Sequence, residues 1–327
     1  MDKISSNGPG LVTGGQSELR RDLAIPGAAL VLVVAFWIWD LHFYWRSQPE
    51  YEFGWLVPLL AGFLAWERWP LRGPRDAAES VRRGVVLRVL LGGGLLLFSE
   101  LYRNGIGRTA TSSFAFSCGC YLFASCVVLE AGGKALLRCL GVPLLFMFVA
   151  APIPRIVWGP LVTSLQGGVA FCTVELLGLI GIPAERVGHV IRLPNCVVGV
   201  DQACSGIRSL QSTLMAAFFI GILTLRLTGM RVLLVGTGVA LAMVGNVVRA
   251  LLLARAAAHG GPEALARVHD SAGWGILAFT AAGVAGISWG LGRLEASIPS
   301  AEAEMSADAN SDSEDASANA GKGKEGT

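Results

Sequence analysis

Charged side chains are scarce in this chain of 327 residues, and their scarcity excludes several classes of protein. Only 15% of the residues are charged and 53% are hydrophobic, whereas a soluble domain usually carries about 25% charged residues. A disordered chain is excluded because it would be far more polar. The formal net charge of +2 is too small for a phosphate-binding surface, so we expect no nucleic-acid partner. The composition favours a helical membrane protein.

Common catalytic motifs are also missing. The sequence contains no His-Glu-x-x-His pair, paired aspartates, Gly-Lys-Ser/Thr loop or Gly-x-Ser-x-Gly elbow, which argues against the usual metalloprotease, aspartyl, phosphate-loop and serine-hydrolase mechanisms. The four histidines do not have the spacing of zinc ligands. The seven cysteines do not indicate a disulfide scaffold, because most of them lie in apolar stretches of a long chain. We therefore expect neither a metal ion nor an organic cofactor.

Long apolar runs predict an all-α polytopic membrane protein with about eight transmembrane helices. In a bilayer the backbone must satisfy its own hydrogen bonds, so a run of about 20 apolar residues is expected to form a spanning helix. The second run is the weakest, because it is short and Pro58 interrupts it. The predicted spans are 24–45, 53–68, 84–101, 110–130, 134–151, 204–226, 230–251 and 270–292.

Arginine and lysine set the predicted orientation, because both are enriched in the cytoplasmic loops of membrane proteins. The segment 68–88 contains six arginines, and no predicted outer loop is as dense. Placing this segment inside puts residues 1–23 and the C-terminal tail in the cytoplasm. The tail, residues 296–327, is rich in Ala, Ser, Asp, Glu and Gly. We expect it to be disordered and acidic, because it has almost no large apolar side chains to bury.

The segment 152–203 is the largest piece outside the predicted spans, and the predicted topology places it on the outer face. Within it, 156–180 predicts a helix whose polar side chains favour a position at the membrane interface or a re-entrant path rather than a span. Residues 186–200 are rich in β-branched side chains. They predict a short extracytoplasmic β-hairpin with its turn at Pro194-Asn195.

Three polar clusters lie at predicted outer helix ends, and the first contains Cys204. This cysteine stands where the predicted hairpin ends and the sixth span begins, and Arg208 follows one helical turn later. A helix N-terminus and a nearby cation both lower the pKa of a thiol, which favours the reactive thiolate. Two alternatives stay open. Cys204 packs as a small apolar residue beside an arginine that reaches the interface, or a Cys196–Cys204 disulfide blocks the thiol.

The second cluster contains Asn246 and Arg249, near the outer end of the seventh predicted span. The two residues are three apart and therefore share a helix face. An arginine in this position can hold a carboxylate or stabilise an oxyanion. The alternative is an interfacial arginine that pairs with a lipid phosphate.

The third cluster contains His269 and Asp270, at the predicted start of the eighth span. Histidine transfers protons near neutral pH, so His269 is the expected acid and base. Asp270 is a candidate to orient it, although neighbours in sequence do not share a helix face. The alternative places His269 in a loop and makes Asp270 the helix N-cap. His189, in the predicted hairpin, is the rival for the acid/base role.

Together, the clusters supply a thiol, a guanidinium and an imidazole on one predicted membrane face. This set suits cysteine acyl transfer. Cys204 would attack an amide, His269 would protonate the leaving amine, and Arg249 would stabilise the oxyanion. The three side chains come from three predicted helices, which a bundle can bring together.

These residues resemble those of the exosortase/archaeosortase family of membrane transpeptidases. The likeness covers roughly residues 45–295, and it rests on motifs that occur in the family's order. One departure is Phe53, at a position where the family often has histidine. The motifs are 203–209, Asn246-x-x-Arg249 and His269 followed by Gly273, with further likeness at 51–58, 152–154, 181–183 and 188–191.

The resemblance implies an extracytoplasmic cysteine transpeptidase of the bacterial inner membrane. Residues 24–295 would form its transmembrane domain, and 152–292 the half that carries the active site. Its partners would be the lipid bilayer and membrane-anchored proteins with a C-terminal sorting signal, in which a motif such as Pro-Glu-Pro precedes a transmembrane helix and a basic tail. The enzyme would cleave near the motif and transfer the new carboxyl end to an acceptor, such as an exopolysaccharide or a lipid. The expected catalytic residues are Cys204, Arg249 and His269, and the expected supporting residues are Arg208, Asn246, Asp270 and His189.

Two other functions stay open from the sequence. One is a non-catalytic membrane factor for exopolysaccharide export or assembly, which would need the fold and its lipid contacts but not the thiol of Cys204. The other is a transporter. It is less favoured, because the sequence lacks the pair of interrupted helices in corresponding halves that many transporters have.

Overall fold

Helices form most of the computed structural model, which describes residues 13–71, 79–199 and 206–297. A small three-stranded antiparallel sheet is the other component. In chain order the elements are α1 (Thr13–Ser47), a 3₁₀ helix (Pro49–Trp55), α2 (Val57–Arg68), a 3₁₀ turn (Trp69–Leu71), α3 (Glu79–Ile106), α4 (Ala110–Phe146), a 3₁₀ turn (Met147–Ala150), α5 (Arg155–Leu179), β1 (Glu185–Val187), β2 (Val190–Arg192), β3 (Val197–Gly199), α6 (Gly206–Thr224) and α7 (Thr228–Ser297).

Five helical stretches of the described residues are long and apolar enough to cross a membrane, judged by length and composition. Two of them are much longer than the roughly 20 residues that one crossing needs, so the number of stretches is not the number of crossings. The five are Ala24–Ser47, Gly84–Ile106, Ala110–Ala150, Arg155–Leu179 and Thr228–Ser297.

Glycine kinks divide the two longest helices. In α4 the backbone leaves helical geometry at Gly132 and Gly133, and Gly133 has a φ of 70°. In α7 Gly261 has a φ of 64°, and Pro262 follows it. Glycine accepts a positive φ because it has no Cβ, and proline suits the first turn of a new helix. Each long helix therefore consists of two arms.

The kinks lie between pairs of predicted spans. The predicted spans 110–130 and 134–151 correspond to the two arms of α4. The last two predicted spans lie in the first arm of α7, residues 228–260, and in its second arm, residues 262–297. The second arm begins eight residues before the predicted start of the eighth span, because Pro262 starts the helix.

The helix predicted over 53–68 is shorter in the structure, although the chain does return across the bundle here, because the ends of α1 and α3 line one cavity. The 3₁₀ helix runs to Trp55, and α2 has only 12 residues. At a rise of 1.5 Å per residue α2 is about 18 Å long, well short of a hydrocarbon core of about 30 Å. The shorter helix has a local cause. Gly54 packs directly against the Trp45 indole, and a proline at the first turn of α2 sets where the α-helix begins.

Helix α5 confirms the helix predicted over 156–180, with ends that differ by one residue. Its length and apolar composition are also sufficient for a membrane crossing. Its placement at the interface therefore stays a prediction.

Both termini of the chain lie outside the described residues, which begin at Thr13 and end at Ser297. The cytoplasmic and disordered character of the two ends likewise stays a prediction.

The predicted β-hairpin is part of a larger sheet. Strands β2 and β3 pair antiparallel around Pro194-Asn195, with Ile191 opposite Val198, as the hairpin prediction required. The prediction missed β1, which pairs with the other edge of β2. The turn between β1 and β2 contains Gly188, whose φ of 66° permits the tight reversal.

Four buried clusters hold the described helices together, and two of them position the site. Trp37 and Trp45 of α1 pack with Phe146 of α4, and side chains of α2 and α6 join them. In the second cluster, Ile191 of the sheet packs with α5 and with Leu253 of α7. Helix α6 packs along α7 and also contacts the 3₁₀ helix Pro49–Trp55. The sheet is thus held against α5 and α7, and α6 lies along the arms of α7.

Candidate active site

A cleft of about 390 Å³ lies between α6 and the two arms of α7. Arg208 of α6, Arg249 of the first arm and His269 of the second arm all line it. The structure therefore brings together predicted site residues from all three clusters. The lining residues are Arg208, Ser209, Ser212, Arg249, His269, Asp270, Gly273, Trp274, Ile276 and Leu277.

The closest polar contacts in the cleft connect Arg249, His269 and Asp270. Arg249 Nη2 lies 3.5 Å from His269 Nε2, at the long end of hydrogen-bond distance. On the other side of the ring, His269 Nδ1 lies 3.0 Å from Asp270 Oδ1. A guanidinium can only donate, so Nε2 is the acceptor and the ring proton is assigned to Nδ1. In this assignment the Nε2 lone pair faces the arginine.

Asp270 is not a helix N-cap, contrary to the alternative interpretation of the third cluster. The second arm of α7 begins near Pro262, so His269 and Asp270 lie about two turns inside it. Asp270 instead contacts the imidazole of His269, although the two are neighbours in sequence. The Asp270 side chain is 91% exposed, and the ion pair it can form is therefore well solvated.

Two glycines let the arms of α7 approach each other closely. A Cβ on Gly273 would lie 3.2 Å from Arg249 Nη2, and a Cβ on Gly245 would lie 2.9 Å from Ile276 Cγ2. Both distances are shorter than an ordinary van der Waals contact. The sequence analysis used Gly273 only as part of a motif. The structure shows that the absence of a side chain there gives the Arg249 guanidinium its space beside His269.

Two buried polar atoms in the cleft have no hydrogen-bond partner among the described residues. They are Ser209 Oγ and Arg249 Nε. A buried donor without a partner is costly, so both atoms can gain from a polar ligand in the cleft. Ser212 was not among the residues singled out from the sequence, and Ser209 and Trp274 were given no role there. Ser212 follows Arg208 by four residues, so helical spacing from the arginine was the signal that could have found it.

Other predicted site residues lie outside the cleft or outside the described residues. Asn246 is buried, at 6% exposure, and is not among the lining residues. His189 lies in the turn between β1 and β2 and does not line the cleft either. Cys204 falls in the gap 200–205, outside the described residues. Its role as nucleophile, and the alternative disulfide to Cys196, stay predictions.

The chain matches the family model of transmembrane exosortases (Exosortase_EpsH) over residues 45–286. The match covers more than half of the chain and includes every residue that lines the cleft. Comparison with curated proteins and with solved structures gives no significant match. The match agrees with the resemblance found in the sequence motifs and with the long apolar helices of the fold. This multi-pass membrane protein therefore belongs to the transmembrane exosortase family.

Proposed function

We propose that the chain is a cysteine transpeptidase whose active site is the cleft between α6 and α7. Membership of the exosortase family implies a membrane transpeptidase that processes PEP-CTERM proteins. The observation that carries the finer proposal is that Arg208, Arg249 and His269 line one cleft. Cys204 precedes Arg208 by four residues in the sequence, and it is the proposed nucleophile.

The first half of the proposed reaction forms a thioester. His269 Nε2 accepts the proton of the Cys204 thiol, and the thiolate attacks the carbonyl carbon of the scissile amide. As the C–S bond forms, the carbonyl π electrons move to oxygen, and N–H groups of Arg249 donate to the oxyanion. The tetrahedral intermediate then collapses and the C–N bond breaks. The leaving amine takes its proton from His269.

The second half releases the new carboxyl end. An acceptor amine, hydroxyl or water attacks the thioester carbon and gives its proton to His269 Nε2. The C–S bond breaks, and the Cys204 sulfur recovers the proton. Asp270 supports this cycle by accepting a hydrogen bond from His269 Nδ1, at 3.0 Å, which keeps Nε2 facing the cleft. The nature of the acceptor decides between transfer and hydrolysis, and an exopolysaccharide or a lipid is our expectation.

The proposed setting is the bacterial inner membrane, with both termini in the cytoplasm and the cleft on the outer face. The arginine-rich segment 68–88 supports this orientation. The partners in this setting are membrane-anchored proteins with a C-terminal sorting signal. Arg208 is the proposed binding partner of a thiolate or of a substrate carboxylate, because it is exposed at the cleft.

The test is processing of a co-expressed membrane protein that carries a Pro-Glu-Pro sorting signal. We expect the wild type to cleave it, Cys204→Ala to leave it intact, and the matched variant Cys172→Ala to cleave normally, since Cys172 lies on α5 away from the cleft. Mass spectrometry of the new C-terminus separates a free carboxyl from an added group. Normal processing by Cys204→Ala, at equal protein levels, would refute the nucleophile and favour a non-catalytic membrane factor.

A further inference from the structure

A second and larger cavity, of about 810 Å³, opens at the end of the bundle where α1 and α3 end and α4 and α5 begin. Among the described residues it shares no lining residue with the cleft. Five aromatic side chains and two arginines are part of its wall. The wall includes Phe43, Glu50, Tyr51, Arg108, Arg155 and Trp158, and we call this cavity the arginine pocket.

The arginine pocket has an excess of positive charge. Beneath it, the carboxylate of Asp40 is buried, at 2% exposure. Asp40 Oδ1 lies 2.7 Å from Arg103 Nη2 and 3.8 Å from Arg108 Nη2. One carboxylate therefore faces two guanidiniums, and Arg103 makes the closer contact. Arg155 adds a further positive charge and Glu50 a negative one. The three arginines and two carboxylates together carry a formal net charge of +1. Arginine pairs with a carboxylate through two parallel hydrogen bonds.

The aromatic side chains in the wall favour a ligand that carries flat apolar groups beside its negative charge. The Arg108 guanidinium lies over the Phe43 ring, with Cζ 5.0 Å from the ring centroid, so this cation is held against the wall. Aromatic-lined grooves bind proline-containing segments in an extended form. A volume of about 810 Å³ is typical of a ligand site and large enough for several residues. A diacyl lipid fits less well, because threonine and glutamine side chains complete the wall where acyl chains would need an apolar groove.

Tyr51 connects the arginine pocket to the helix that carries Arg208. Its side chain lines the pocket, and its hydroxyl accepts a hydrogen bond from the Ile153 backbone N–H at 3.3 Å. Burial raises the pKa of Tyr51, and the side chain of Gln211 interacts with the same hydroxyl. Gln211 lies on α6, three residues after Arg208. Tyr51, in the wall of the pocket, therefore contacts the turn of α6 that follows Arg208.

We propose that the arginine pocket binds the acidic, proline-containing motif of the sorting signal, and that Arg108 and Arg155 pair with the glutamate carboxylate of a Pro-Glu-Pro motif. The proline rings lie against aromatic side chains such as Trp158. The chain that follows the motif then passes α6 and enters the cleft at Arg249. This assignment rests on the proposed function, because it assumes that such a signal is the substrate.

The test measures how strongly the enzyme distinguishes glutamate from glutamine. Co-expressed substrates carry Pro-Glu-Pro, Pro-Gln-Pro or Pro-Lys-Pro signals, and the initial cleavage rates are compared. We expect the wild type to prefer glutamate over glutamine by about tenfold, the scale of one hydrogen bond to a charged group. The preference falls to near one in Arg155→Gln and in Arg108→Gln. Arg293→Gln is the matched control, because Arg293 stacks on Trp289 away from the pocket, and it keeps the preference.

A charge reversal separates recognition from folding. Arg155 is exposed at the start of α5, so Arg155→Glu is expected to fold, and we expect it to cleave the Pro-Lys-Pro signal faster than the wild type does. An unchanged glutamate preference in both pocket variants would overturn the proposal. So would an equal loss for all three signals, which is the result expected if the pocket holds a lipid phosphate or is only structural.

Binding to the inactive enzyme separates failure of the pocket assignment from failure of the proposed chemistry. Purified Cys204→Ala protein in detergent is titrated with synthetic signal peptides that include the transmembrane helix. We expect the Pro-Glu-Pro peptide to bind about tenfold tighter than the Pro-Gln-Pro peptide, and Arg155→Gln to remove the difference. Equal affinities would overturn the pocket assignment, whereas normal cleavage by Cys204→Ala would refute the chemistry alone.

Discussion

Substituting Gly273 with alanine tests whether the Arg249 guanidinium must sit close to His269. A Cβ at position 273 would lie 3.2 Å from Arg249 Nη2 and 3.5 Å from its Cζ. Ordinary contacts between such atoms are about 3.5–4.0 Å, so the guanidinium must move by several tenths of an ångström. It lies 3.5 Å from His269 Nε2, and a shift of this size changes where its N–H groups meet the oxyanion.

The expected cost is moderate, because the displacement is small. A misplacement of 1 Å can cost about a hundredfold in rate, so a shift of several tenths of an ångström should lower kcat/KM by about three- to tenfold. Folding is not expected to suffer, since alanine is better than glycine inside a helix by about 0.5–1 kcal/mol. The assay is the initial rate of signal cleavage at matched protein levels, together with thermal unfolding in detergent.

Gly275→Ala is the matched control for this prediction. It lies on the same arm of α7 as Gly273, and a Cβ there would meet nothing within 4 Å. It should gain the same helix stability and keep its activity. Wild-type activity in Gly273→Ala would refute the claim that activity depends on the space that Gly273 leaves for the Arg249 guanidinium. An equal loss of activity in both variants would refute it as well.

Two further variants test the exposed ion pair and the packing of the 3₁₀ helix. Asp270→Asn should lower kcat/KM by less than about fivefold, because an exposed pair with His269 is worth about 0.2–1 kcal/mol. A thousandfold lower cleavage rate would show that the pair is shielded from water during catalysis. Gly54→Ala should destabilise the protein by about 1–3 kcal/mol through overpacking, because its Cβ would strike the buried Trp45 indole. Thermal unfolding in detergent checks this, with Gly62→Ala as the control whose Cβ meets nothing within 4 Å. Equal unfolding temperatures for the two glycine variants would contradict it.

Much of the candidate site followed from local sequence signals. Arg208, Arg249 and His269 were each selected from a motif at a helix end, and the structure places all three on one cleft. The helical character of the chain and the hairpin between β2 and β3 also followed from apolar runs and β-branched residues. The fold predictions are confirmed because spacing within one element reports directly on which residues share a face, whereas the roles of the three side chains stay predictions.

Other candidate residues lie in places that the sequence did not indicate, because a turn signal was overlooked or a partner was distant. The pair Gly261-Pro262 starts the second arm of α7, so Asp270 lies inside a helix and not at its cap. Asn246 shares a helix face with Arg249, as its spacing predicted, but it is buried and does not line the cleft. His189 was chosen for its nearness in sequence to Cys204. The turn that holds it does not reach the lining of the cleft.

The sequence by itself determined that this is a membrane protein, where its apolar helices run and which residue types are available for acyl transfer. Apolar composition decides this because each residue's preference for lipid or water is a local property. The tertiary structure alone decided that Arg249 meets His269 twenty residues away, that Gly273 leaves the space for this contact, and that ends of four helices enclose the arginine pocket. These contacts depend on how separate helices pack, and the energy of packing belongs to pairs of distant surfaces rather than to any one segment.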